Sequence, residues 1–175
     1  MKKKILITIL VAATVAVAYW LISPLWRELV LDEPVPRDAL DTMDDATRAE
    51  FERQVDAMSG DVMDRNESVT NTPDILREGE MVARAHEVEG RALAIDTGSM
   101  RFLRFEDLDT VNGPDLRIYL ASDLSADDVI DLGAVRATRG NVNYAIPPGT
   151  DLEHYRYAMI WCRAFSVLFS YAELQ

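Results

Sequence analysis

The sequence predicts an all-β fold, a small antiparallel β-sandwich over residues 79–175. Three observations carry this. From Gly79 onward, apolar runs of strand length recur at regular spacing, as in sandwiches and barrels. Glycine, proline, asparagine and aspartate cluster between those runs. The last run, Tyr157 to Phe169, is apolar on both of the faces a strand presents.

Strands are expected near residues 80–86, 90–96, 100–105, 116–121, 130–136, 141–146 and 156–169. Asp96-Thr97-Gly98-Ser99 makes a hairpin turn between two of them. Val111-Asn112-Gly113-Pro114 is a sharp corner, where glycine supplies unusual dihedrals and proline fixes the next φ. Gly140-Asn141 reads as a further turn, and Pro147-Pro148-Gly149 ends the following strand. In the final run, alternation puts Met159, Trp161, Arg163, Phe165, Val167 and Phe169 on one face. Ala158, Ile160, Cys162, Ala164, Ser166 and Leu168 take the other. This predicts one central strand covered on both sides, with a bulge near Arg163, and Cys162 opposite Trp161 among small side chains.

Two segments precede the sandwich. Residues 1–27 read as a membrane anchor or signal segment. Lys2, Lys3 and Lys4 lead into an uncharged stretch of 22 residues, Ile5 to Trp26, where about 20 cross a bilayer core. Lysines at the start favour a cytoplasmic N-terminus, and Tyr19, Trp20 and Trp26 suit the far interface. The expectation is a single-pass membrane protein with an N-terminal transmembrane helix, its C-terminal domain extracytoplasmic. The alternative is a cleaved signal peptide, since Ala16-Val17-Ala18 fits the small-x-small rule, and a secreted product. Residues 28–78 form an acidic stalk in which Pro34 and Pro36 break regular structure. One short helix is expected near 44–59, capped by Asp44 or Asp45, with Phe51, Val55 and Met58 on one face.

Charge excludes one class of partner. Lys2–Lys4 are the only lysines, so the chain beyond residue 22 sets 15 arginines against 30 acids, a net charge of −15. Such a surface repels phosphate backbones, and no nucleic-acid partner is expected. Conventional enzyme sites are also missing: there is no Gly-rich phosphate loop, G-x-S-x-G elbow, H-E-x-x-H or C-x-x-C.

An ordered set of landmarks stands in the C-terminal half. They are Gly113-Pro114-Asp115-Leu116 with Tyr119-Leu120, Leu132-Gly133, then Gly140-Asn141 with Tyr144 and Pro147. Ile160-Trp161-Cys162-Arg163-Ala164-Phe165-Ser166-Val167 and Ala172-Glu173-Leu174 close it. In these residues the chain resembles the DM13 family, the electron-transfer DM13 domain, over 79–175. The resemblance implies a β-sandwich likened to the haem-binding DOMON fold, and a role in extracytoplasmic electron transfer centred on the cysteine matching Cys162.

Cys162 is the single cysteine, so no internal disulfide forms and no second thiol resolves an oxidised one. As a redox thiol it must cycle through sulfenic acid or a mixed disulfide with a redox partner protein. As a structural residue it is a small buried hydrophobe. Haem or copper would need Cys162 joined by His86, His154 or Met159, and nothing in the spacing requires either cofactor. His86 and His154 read as solvated turn and linker residues. Asp115, after Gly113-Pro114, is expected to accept backbone N–H bonds and lock the corner, a structural role ahead of a catalytic one. Tyr119 and Tyr144 are redox-competent in principle and core residues by pattern. Two functional readings follow: a redox module centred on Cys162, or a surface binding or structural sandwich in which Cys162 is inert.

Overall fold

A computed structural model describes residues 2–23, 27–36, 49, 50, 53 and 73–175. The helix expected near 44–59 lies outside the described residues except at positions 49, 50 and 53, which are helical.

The N-terminal helix α1 spans Lys2–Ile22, 21 residues. Three of these are lysines, which leaves 18 uncharged ones, about 27 Å at ~1.5 Å per residue. The hydrocarbon core is about 30 Å thick. The helix ends at Ile22, whereas the apolar stretch counted from sequence runs on to Trp26. Among the described residues no helix is long and apolar enough to cross a membrane. The expected single-pass membrane placement and the anchoring through this helix are corrected accordingly.

Ten strands build two five-stranded sheets. The first has the order β1 (Val30–Asp32), β8 (Arg139–Ile146), β5 (Arg101–Thr110), β4 (Val88–Asp96), β2 (Asp74–Glu80). The second has the order β3 (Val82–Ala83), β10 (Val167–Glu173), β9 (Tyr157–Cys162), β6 (Leu116–Ala121), β7 (Val129–Ala134). Only β1–β8 is parallel among these pairs. The core lies between the sheets, with Ala92, Leu103, Phe105 and Val142 facing Leu116, Ile160, Cys162 and Phe169 in one buried cluster. The all-β sandwich is therefore as expected, built from more strands than the sequence suggested.

The expected strand at 80–86 is instead a crossing point. β2 ends at Glu80, the buried Met81 donates its N–H to Gly90 O, and β3 joins the other sheet. Reciprocal backbone bonds between Glu78 and Gln175, 3.3 and 3.0 Å, stitch the sheets together along this side. The expected continuous strand 156–169 is a hairpin. β9 stops at Cys162, residues 163–166 turn in solvent, and Val167 pairs back onto Cys162. Val167 and Phe169 thus pack into the inter-sheet core with Cys162, not on the Trp161 face. Turn residues Arg163-Ala164-Phe165-Ser166 include no glycine or proline, so the usual break signal is missing; Ser166 adopts the left-handed conformation, φ +52°.

Gly140 is not a turn residue but lies inside β8, where β1 crosses it. Its φ is +103°, and a Cβ there would sit 2.2 Å from Leu31 O. Residues 30–32, within the stretch expected to be stalk, are held by this approach and by Thr138, which exchanges bonds with Leu29. Beyond β1, the Arg104 guanidinium clamps the chain. It is 4% exposed and donates to Glu33 O, Pro34 O, Asn143 Oδ1 and the Glu106 carboxylate, at 2.8–3.1 Å. A buried cation is tolerated only when paired and hydrogen-bonded. Burial disfavours charge on Glu106, yet hydrogen bonds from Arg104 and Arg91 outweigh it and hold its carboxyl below the usual glutamate range.

Two outcomes are expected. Gly140→Ala should destabilise the fold by about 1–3 kcal/mol in urea unfolding, because strained φ and backbone overlap add. Gly98→Ala, where nothing lies within 4 Å, should cost less despite a φ of +82°. A carboxyl with a depressed folded pKa stabilises above its unfolded value, and that stability is lost as pH falls through the folded one. Glu106→Gln should therefore cost about 1–3 kcal/mol at neutral pH. It should also flatten the stability loss expected of the wild type as pH falls below the glutamate range, measured by urea midpoints across acid pH.

Candidate functional site

The site begins with period two. Residues 158, 160 and 162 of β9 point between the sheets, so Cys162 enters the core at the strand's last position. It pairs with Leu116 of β6 and Val167 of β10 and is fully buried, 0% exposed. Its Sγ donates to Pro114 O at 3.2 Å, a bond only the protonated thiol can make.

The same register explains what adjoins it at the strand end. Because Leu116 lies opposite Cys162, the flanking Asp115 and Arg163 are neighbours. Arg163 N donates to Asp115 O at 3.1 Å, and its guanidinium forks onto the Asp115 carboxylate at 2.7 and 3.2 Å. The Asp115 carboxylate was expected to take backbone N–H groups; it takes this guanidinium instead. Asp115 itself adopts the left-handed conformation, φ +53°. Gly113 does not supply the unusual dihedral. It is glycine for space, since a Cβ there would meet the Phe169 ring at 2.9 Å. The clasp thus joins the Gly113–Asp115 corner to the Arg163–Ser166 turn, whose Phe165 is 56% exposed.

Other residues singled out from sequence lie elsewhere. Met159 is an odd number of residues from Cys162 and so faces the opposite side of the sheet. His154 pairs with Asp128 at 2.8 Å, where this contact and the Tyr155 hydroxyl hold the Asp128 carboxyl below the usual range. The His86 ring rests on Phe169, centroids 4.0 Å apart. Tyr144 is buried against Phe105, its hydroxyl accepting from Arg136 N at 2.9 Å, and burial pushes its pKa up. Among the described residues no group of three or more His, Cys, Asp or Glu could hold a metal ion. An open groove of about 670 Å³ between Arg27, Glu87, Asp109 and Thr138 is lined by no cysteine, histidine or methionine.

Sequence reasoning missed a second assembly. On the outer face of the second sheet, Tyr119 and Met159 are buried beneath Tyr157, Trp161, Leu168 and Tyr171. The signal was present in the alternation of β9, but assigning the outer partners needs the register of β6 and β10. It also missed Ser170, whose hydroxyl is buried beside Ile160 with no hydrogen-bond partner among the described residues.

Comparison with known proteins places this geometry. No curated protein and no solved structure matches the chain. The profile of one protein family, described as Electron transfer DM13, matches residues 80–174, more than half of the 175. Its span runs from the end of β2 through the Gly113–Asp115 corner and Cys162 to the close of β10, and the chain belongs to the DM13 electron-transfer family.

Proposed function

We propose that this domain takes reducing equivalents from a redox partner protein and that Cys162 is the group that changes oxidation state. The observation that carries the reading is position. In a member of an electron-transfer family, the chain's single thiol lies one residue before an exposed turn and bonds the corner that a surface ion pair ties to that turn. Opening the Asp115–Arg163 clasp is the motion that would bring it to a partner.

The chemistry balances without a second cysteine. The Cys162 thiolate attacks the distal oxygen of a hydroperoxide; the O–O bond breaks, an alcohol leaves with the thiol's proton, and sulfenic acid remains. A dithiol on the partner then restores the thiol, becoming a disulfide and releasing water. Two electrons pass from the partner's thiols to the peroxide.

A second reading has its own support. Full burial and the bond to Pro114 O are what a cysteine acting as a small hydrophobe would show. The sandwich is then a binding or structural module.

Native-state alkylation of the full chain separates the two. If Cys162 serves redox exchange, it should be labelled through local opening, faster than global unfolding allows and with little dependence on denaturant. Asp115→Asn should speed that labelling up to about fivefold, since an exposed ion pair is worth at most ~1 kcal/mol. Cys162→Ser should abolish peroxide-dependent oxidation of a dithiol partner. Labelling that tracks global unfolding alone would leave Cys162 as packing, and its serine variant would then cost only about 0.5–3 kcal/mol of stability.

A further inference from the structure

The described tyrosines and tryptophan of the sandwich are not spread evenly. Of Tyr119, Tyr144, Tyr155, Tyr157, Trp161 and Tyr171, four share the outer face of the second sheet. The inter-sheet core takes Phe105 and Phe169, together with Tyr144 and, packed at its margin, Tyr155. Tyrosine and tryptophan give up an electron far more readily than phenylalanine, so four of the six oxidisable rings share one surface.

Strand register orders them. Met159 sits at the centre of β9, with Tyr119 opposite on β6 and Tyr171 opposite on β10. Trp161 lies two residues on, opposite Leu168 of β10 and diagonal to Tyr119 of β6, a spacing of about 7–8 Å that long side chains bridge. A bulge between Leu168 and Ser170 intervenes on the way to Tyr171. Tyr157 lies two residues back, its ring 6.0 Å from that of Tyr171. The Met159 thioether, polarizable and fully buried, fills the space between the rings. From Trp161 to Tyr157 the row covers about 14 Å along β9. One end adjoins the exposed turn at residues 163–166, and the other lies at the start of the strand.

We propose that this outer face is a one-electron relay across the domain, running from Trp161 through Tyr171 to Tyr157, with Tyr119 and Met159 as its buried flank. The proposal rests on the electron-transfer reading but not on Cys162, which points to the opposite face. A one-electron acceptor on a partner, seated at the turn, takes an electron from the Trp161 indole. Tyr171 refills the indole and Tyr157 refills Tyr171. Arg84 lies over the Tyr171 ring and Arg156 over that of Tyr157, each at 5.3 Å. A neighbouring guanidinium disfavours a cationic ring, so each phenol gives up its proton to water as it gives up its electron. A one-electron donor at the Tyr157 end returns the electron, and water returns the proton. One electron has then moved from donor to acceptor with the chain unchanged.

Packing alone also brings aromatic rings together across strands, so the test must read electrons rather than stability. The full chain would carry Trp20→Phe and Trp26→Phe, which leaves Trp161 as its single indole. Flash-generated ruthenium(III) tris-bipyridyl would serve as the oxidant, with transient absorption following indole and tyrosyl radicals. The relay requires an indole radical that converts to a tyrosyl radical, and loss of that conversion in Tyr171→Phe. Trp161→Phe should remove the indole signal altogether, and Cys162→Ser should leave the conversion intact. Conversion that survives Tyr171→Phe and Tyr119→Phe, or an indole radical that never converts, overturns the relay. Conversion lost in Cys162→Ser while surviving Tyr171→Phe also overturns it and leaves the thiol reading standing. Conversion that persists without Cys162, in a chain whose thiol reacts only on unfolding, retains the relay and removes the thiol.

Discussion

The second sheet is governed by one constraint: β9 is buried on both faces. A strand with two covered faces has no polar side to turn outward, so it must sit centrally, and β9 is the middle of five. Period-two alternation then decides everything attached to it. Ala158, Ile160 and Cys162 belong to the inter-sheet core, while Met159 and Trp161 belong to the outer cluster. A one-residue slip would exchange the two sets, placing the indole between the sheets and the thiol among tyrosines. Ala158 and Ala172, paired across β9 and β10 in the crowded interior, have no room for rings of that size.

That constraint also accounts for the clasp. β9 ends where the burial pattern ends, at Cys162, and the next four residues are exposed. A strand end buried on one side and solvated on the other leaves its final backbone groups in need of partners. Arg163 N finds Asp115 O, and the ion pair between the same two residues follows from their adjacency. The pair is exposed and contributes little stability by itself. Its consequence is positional: it ties the Gly113–Asp115 corner to the end of β9, where Pro114 O accepts from Sγ.

Much of this was legible in the sequence. The Asp96–Ser99 turn, the corner at 111–114 and the end of β8 at Pro147-Pro148-Gly149 are where turn chemistry puts them, and Cys162 lies opposite Trp161 as alternation requires. What escaped has physical reasons. The break after Cys162 carries no glycine or proline, so the apolar pattern reads straight through it, and Ser166 bears the left-handed φ instead. Gly113 and Gly140 look like ordinary turn glycines; each is set by a partner distant in sequence, Phe169 and Leu31 respectively. β1 is three residues long, too short for a periodicity signal, and depends on the parallel edge of β8 and the Arg104 clamp. The Asp115–Arg163 contact needs the β6–β9 register, which no local pattern specifies.

The two faces of β9 impose different demands on a redox role. A thiol reacts through its sulfur, so it must shed a proton and meet its partner atom to atom; for a residue buried completely, that means local opening of the clasp. An aromatic ring exchanges an electron without moving a heavy atom, and it needs only contact with a neighbour and water for its proton. The outer face meets those terms in the closed structure, since Tyr157, Trp161 and Tyr171 are partly exposed around a buried Met159. In the proposed relay, the four oxidisable rings outside the inter-sheet core would transfer charge while the sandwich stays folded. The buried thiol would react only after the strand end opens. Two residues adjacent in sequence thus sit in environments that separate rigid from gated chemistry, and the alternation of a single strand is what keeps them apart.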